Sequence, residues 1–168
     1  MKLSKIFIMG IAGSGKTYLA SKISKKLQIK SHELDEIIFN KNNFIRIDDK
    51  KRDEKIKKIL KHKKWIIEGS YTKEWVNPMI KEADLIIALK IHPFKTKQRI
   101  IMRFIKRKIK KGKRFESLKD FFNLIKHSNK TVSKRKIDHT KELAEKNKKK
   151  LLILRNKRQI KKFLRKLK

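Results

Sequence analysis

The 168-residue chain has no cysteine, two prolines, five glycines and only 16 acidic residues against 51 basic ones. Without cysteine there are no disulfides, no thiolate nucleophile and none of the usual structural zinc sites. No apolar run approaches the length of a membrane span, which excludes an integral helical membrane protein. The opening residues Lys2 and Lys5 precede an apolar patch, Ile6 to Met9, that is too short for a secretory signal and meets Gly10 at once, so a cytoplasmic protein is expected. No Gly-, Ser- or Pro-rich linker divides the chain and no internal repeat is present. Residues 1–168 therefore read as one domain, large enough to bury its own core.

The shortage of acid is uneven. Residues 1–84 carry 20 basic and 11 acidic side chains, whereas residues 85–168 carry 31 and 5. Two stretches, Lys95 to Arg114 and Lys146 to Lys168, hold 11 and 12 bases with no acid at all. Such a field favours polyanions: nucleic acid, an anionic membrane surface or a bound triphosphate. The excess is mostly Lys spread along helical faces with little aromatic interleaving, which is also the pattern of an ordinary solvated surface in a lysine-rich protein. Weak, sequence-independent and salt-sensitive nucleic-acid binding is the expectation.

Three of the few glycines stand together. Gly10 to Thr17 reads Gly-Ile-Ala-Gly-Ser-Gly-Lys-Thr, a complete G-x-x-x-x-G-K-[ST] phosphate-binding loop directly after an apolar run. Its glycines let the backbone curl so that N–H groups face an anion, and the following helix adds the partial positive charge of its N-terminus. Gly10, Ala12, Gly13, Ser14, Gly15, Lys16, Thr17 and Tyr18 are thus candidates to bind ATP, with Lys16 reaching the β- and γ-phosphates and the Thr17 hydroxyl ligating Mg²⁺.

Apolar runs and helical patterns alternate along the chain, which argues for an α/β fold with a parallel sheet and helices on both faces. Strands are expected over Ile6 to Met9, Lys30 to Asp35, Trp65 to Ile67, Ala83 to Leu89 and Leu151 to Leu154. Helices are expected over Lys16 to Leu27, from Asp48 and Asp49 to Lys61, over Lys95 to Lys111, from Phe115 to Ser128, onward to about Lys150, and from there to Lys168 after the last strand. The basic helix carries Ile100, Ile101, Phe104, Ile105 and Ile109 as its packing stripe, and Gly112 is read as its end.

Ligands in such sheets bind at the carboxyl edge, where Asp35 ends the second strand and Glu68 follows the third. Glu68 suits Mg²⁺ held through water, and Asp35 suits a substrate hydroxyl, as proton acceptor or as orienting group. A helix cap or a surface ion pair is the alternative for each. Arg99, Arg103 and Arg107 recur every four residues on one helical face and could neutralise a transferring phosphoryl group, Arg103 foremost, or form a solvated basic face. Arg155, just past the last strand, is a further nucleotide-binding candidate. The five histidines show no metal-ligand spacing and read as surface residues, Trp65 reads as core, and Tyr71 and Trp75 either flank a substrate or pack.

Gly10 to Thr17, His32-Glu33-Leu34-Asp35, Trp65 to Tyr71, Ala83 to Ile87 and Leu151 to Arg155 with its helix resemble, in that order, the DNA topology modulation protein family, which is similar in architecture to adenylate and shikimate kinases. That resemblance implies a three-layer P-loop NTPase: a five-stranded parallel sheet of order 2-3-1-4-5 with a small helical basic lid over ATP, roughly residues 95–130. Glu68 stands where members usually carry Asp, and Phe39 to Phe44 replaces the family's Trp-x-Pro-Gly-Trp pattern. The Asp-Gly-Phe-Pro-Arg of adenylate kinases is absent, since Gly69 is followed by Ser70-Tyr71-Thr72, so AMP is not the expected acceptor. The expected function is a Mg·ATP-dependent phosphotransferase of the nucleotide or nucleoside kinase type acting on a small-molecule acceptor. The competing reading is a nucleic-acid-binding ATPase or polynucleotide kinase-like protein affecting DNA topology, and a third is a nucleotide-binding regulator without turnover.

Overall fold

The computed structural model describes residues 3–40, 45–109 and 118–167. Five strands, β1 (Lys5–Gly10), β2 (Ser31–Glu33), β3 (Trp65–Gly69), β4 (Leu85–Leu89) and β5 (Leu151–Leu154), form one parallel sheet in the order β2-β3-β1-β4-β5. The inner strands β1, β3 and β4 are almost wholly buried, as continuous Ile-rich runs require when both faces are covered.

Alternation along each strand sorts the core into two layers. Phe7 and Met9, Trp65 and Ile67, and Ile86 and Ala88 face one side. They are covered by α2 (Leu34–Ile38), α3 (Asp49–Leu60), α4 (Asn77–Glu82) and α7 (Lys130–Lys146), through Leu34, Ile56, Met79 and Ile137 among others. Ile6, Ile8, Ile66, Ile87 and Leu89 face the other side, under Leu19 and Ile23 of α1 (Lys16–Leu27) and Ile160 of α8 (Lys157–Lys166). The two remaining helices, α5 (Pro93–Ile109) and α6 (Leu118–His127), meet through Phe104 and Phe121, whose ring centroids lie 4.4 Å apart. Among the described residues no helix is long and apolar enough to cross a membrane.

Local chemistry accounts for most element ends. The Asp48 carboxylate accepts from the Lys50 N–H and starts α3, Asn129 does the same for α7 from Val132, and Asn156 for α8 from Gln159. Asp84 accepts from the N–H groups of both Ser4 and Lys5, which pins the start of β1 beside that of β4.

Two expectations need correction. The second strand ends at Glu33, and Asp35 lies in the first turn of α2. The cause is burial of Leu34, Ile37 and Ile38, whose helical spacing outweighs the extended preference of the preceding residues. The expected packing stripe on α5 holds at Ile100 and at Phe104, half-buried against Phe121, but not at Ile101, Ile105 and Ile109, which are exposed, Ile109 by 76 %. The helix turns its Thr96–Ile100 side to the phosphate-binding loop instead, where it meets Gly13. A 3-10 turn at Glu74–Val76 leads into α4, and neither element carries a periodic signal in the sequence. Gly112, Phe115 and the Lys41 to Phe44 segment lie outside the described residues.

Gly69, at the end of β3, has no room for a β-carbon, which would overlap the buried Leu34 side chain. That close approach seats α2, and with it Asp35, at the sheet edge. Gly69→Ala is expected to lower stability by about 1–3 kcal/mol, as overpacking does in a closed core. Urea unfolding with an unchanged m-value checks it.

Candidate active site

The site begins with strand pairing. Parallel register sets Ile8 of β1 beside Glu68 of β3, and Glu33 of β2 beside Glu68 in turn. All three strands thus end at one edge, where β1 runs directly into the Gly10 to Thr17 loop. Gly13 and Gly15 have φ of 73° and 94°, left-handed values that favour glycine. A β-carbon on Gly13 would also overlap the Thr96 carbonyl oxygen of α5, so the loop and that helix are in direct contact. Among the described residues no side chain caps α1, leaving its first N–H groups directed into the bend.

Lys16 Nζ donates to the Ile11 carbonyl at 3.2 Å across the loop. The Thr17 hydroxyl donates to Glu68 Oε1 at 2.6 Å, and Glu68 is only 2 % exposed. Burial pushes the Lys16 ammonium below its ordinary pKa, with Arg103 adding to the shift, while Glu68, Asp35 and Glu33 oppose it. Burial also pushes the Glu68 carboxyl above its ordinary value, against the pull of Lys16 and the Thr17 hydroxyl. Each group is thus less comfortable charged than it would be in water, and each would be relieved by a partner of opposite sign: phosphate oxygens for Lys16, a divalent cation for Glu68.

Around this pair stand the other candidates. Asp35 is near enough to influence Lys16, and its Oδ1 accepts a hydrogen bond from the Tyr71 hydroxyl at 2.8 Å. Arg103, half-buried, influences Lys16 as well. Arg99 donates from Nη1 to the carbonyls of Gly13 and Ser14 at 3.2 and 3.1 Å, so it braces the loop's backbone. The side chain of Arg107 lies outside the description. Arg155 is exposed at the carboxyl end of β5, separated from β1 by β4, and its N–H donates to Gln159. Tyr18 is exposed on α1 with the Lys22 ammonium 5.7 Å over its ring.

Two residues at the crevice carry no sequence signal. Lys136 of α7 donates to the Ser70 carbonyl, and burial together with nearby Lys16 lowers its pKa while Asp35 opposes. Nothing in a chain of 51 basic residues singles it out, except its place on the inward helical face with Ser133 and Thr140. Ser70 donates from Oγ to the Gly10 carbonyl at 2.8 Å and so ties β3's exit to the loop. Trp65 is fully buried, as expected. Tyr71 and Trp75 pack on each other with centroids 5.2 Å apart, and the Arg52 guanidinium lies 4.8 Å from the Trp75 ring centroid. His62 and His92 are exposed and His32 is half-buried, its pKa lowered by burial and by Lys30 and His62, whereas His139 has a buried Nδ1.

No family model matches the chain and no curated protein matches it in sequence, so the DNA topology modulation resemblance rests on its motifs alone. Solved structures do match. A shikimate kinase from Acinetobacter baumannii, in complex with shikimate, superposes with a TM-score of 0.60 at 15 % identity, over 98 % of this chain and 90 % of that one. A sugar kinase from Janibacter sp. HTCC2649 gives 0.57 at 15 %, over 97 % and 93 %. A gluconokinase from Sinorhizobium meliloti 1021 gives 0.55 at 12 %, over 98 % and 89 %. At such identities the likeness is one of architecture: the chain has the fold of P-loop kinases, with the sheet order 2-3-1-4-5.

Proposed function

We propose that the protein is a Mg·ATP-dependent kinase that transfers the γ-phosphoryl group to a hydroxyl of a small molecule. The observation that carries this reading is the convergence, at one sheet edge, of a complete phosphate-binding loop, a buried carboxylate bonded to the loop threonine, and a second carboxylate on a separate element. A phosphate cradle alone would serve any nucleotide-binding protein. A second carboxylate across the crevice is what a hydroxyl acceptor needs.

In this reading the backbone of Gly10 to Thr17, with Ala12, Ser14 and the start of α1 beside Tyr18, holds the phosphates. Lys16 neutralises the β- and γ-oxygens. Among the described residues no three His, Asp or Glu side chains gather to hold a metal by themselves. Mg²⁺ would therefore be shared between the Thr17 hydroxyl, Glu68 and the nucleotide's own oxygens, and when bound it supplies charge neutralisation on the phosphates. Asp35 orients the acceptor hydroxyl and takes its proton as that oxygen attacks the γ-phosphorus in line. Arg103 stabilises charge on the transferring group, and Arg99 keeps the loop in shape.

Lys16→Ala is expected to abolish measurable Mg·ATP binding in calorimetric titration with the fold intact, because Lys16 supplies charge and no core packing. Unchanged affinity would sink the reading.

The two carboxylates separate by their effects. Glu68→Gln should raise the Mg²⁺ concentration needed for half-maximal turnover. Asp35→Asn should lower kcat roughly a hundredfold or more with nucleotide affinity preserved. A screen of polyols, hydroxy acids and nucleosides with labelled ATP supplies the assay. If Asp35→Asn weakens ATP binding as much as Lys16→Ala, the division of labour is wrong.

A further inference from the structure

Tyr71 has no task in that reaction, yet its hydroxyl is bonded to the carboxylate that does. The bond to Asp35 Oδ1 is 2.8 Å long, the geometry an acceptor hydroxyl would itself adopt on Asp35. The tyrosine is also held from behind. Its ring packs on Trp75, the Arg52 guanidinium covers Trp75, and Arg52 is only 4 % exposed and clamped by Asp49 and Asp53 at 2.6 and 2.8 Å. The residue before it, Ser70, is fastened to the Gly10 carbonyl and to Lys136. Burial, then the charge of Asp35, pushes the Tyr71 phenol well above its ordinary pKa, so it keeps its proton at neutral pH and remains a donor.

A kinase with bound ATP and no acceptor faces a competing reaction. A water oxygen can form a bond to the γ-phosphorus while the bond to the β–γ bridging oxygen breaks, ADP leaves with the electron pair, and the water proton passes to the carboxylate. Resting on the reading of Asp35 given above, we propose that the Tyr71 hydroxyl is a placeholder for the acceptor hydroxyl on Asp35: Asp35 itself is exposed, but its Oδ1 is held by the phenol rather than by water until an acceptor takes that place. A single water must pay its own ordering entropy to compete with a phenol that the fold has already fixed beside Oδ1. An acceptor anchored by several contacts brings its hydroxyl at high effective concentration and displaces the phenol. Tyr71 is in this sense a positioning residue that selects against water.

The test is ATP hydrolysis without any added acceptor, measured for the wild type, Tyr71→Phe and the double variant Tyr71→Phe/Asp35→Asn, after calorimetry has established Mg·ATP binding by each. Phenylalanine keeps the ring and its contact with Trp75, so the fold is preserved. Tyr71→Phe is expected to hydrolyse ATP about tenfold faster than the wild type with affinity unchanged, and the double variant to fall back to the wild-type rate or below. A merely structural role for Tyr71 would not produce a rise that depends on Asp35. The inference is overturned if Tyr71→Phe is no faster, or if the rise survives in the double variant. It is also overturned if mass spectrometry finds the phosphoryl group on Tyr71 itself, since the residue would then be an acceptor. Absence of Mg·ATP binding by the wild type would remove the kinase reading and this inference together. Binding without faster hydrolysis in Tyr71→Phe would remove this inference alone.

Discussion

An ammonium and a carboxylate share a nearly dry corner at the carboxyl edge of the sheet, and neither is fully at ease there. Lys16 and Glu68 are both displaced toward their neutral forms by burial, and each is the strongest influence opposing the other's shift, Lys16 on Glu68 and Glu68 on Lys16. Removing either leaves the other without its strongest favourable partner. The remaining architecture serves that pair. Parallel pairing of β1 and β3 delivers Glu68 to the loop, Thr17 anchors its oxygen, and Gly69 lets α2 close in behind. Free energy held back by such an arrangement is released when oppositely charged ligand groups arrive, which is how a fold can favour a nucleotide with its cation over either one alone.

Much of this was legible in the chain. Buried parallel strands announce themselves as unbroken Ile and Leu runs, and the glycine-rich loop needs a strand before it and a helix after it, both of which were visible around Gly10 to Thr17. Asp35 is legible as a candidate, but the element that carries it is not. Ser31 to Glu33 is a short, polar strand at the sheet's edge, and Leu34, Ile37 and Ile38 complete a helix of only five residues, too brief for periodicity to distinguish. On α5, by contrast, the period was right and the facing wrong. A stripe of isoleucines and a stripe of arginines alternate around that helix, and hydrophobicity alone chose the isoleucines. Contact with Gly13 brings Thr96 and Ile100 inward, and Arg99 with them to the loop carbonyls.

Lys136 and the Tyr71–Asp35 bond could not have been read in advance. Each depends on groups 66 and 36 residues apart along the chain meeting in space, a side chain on a backbone carbonyl in the first case and two side chains in the second, and neither belongs to a spacing that chemistry prescribes. The basic excess of the second half is likewise ambiguous in sequence. In the folded chain Lys157, Arg158, Lys161, Lys162, Arg165 and Lys166 lie on the exposed surface of α8, while Ile160 is buried against the sheet. An amphipathic helix with a lysine-rich outer face accounts for that segment without a polyanionic partner.

The contact between Gly13 and Thr96 has a mechanical consequence. The loop and the first two turns of α5 cannot move separately, since a carbonyl oxygen of one fills the space that a side chain would occupy on the other, and Arg99 bridges them. Arg103 follows one turn past Arg99 on the same helix, so a displacement of the loop is passed along α5 to the guanidinium that acts on Lys16.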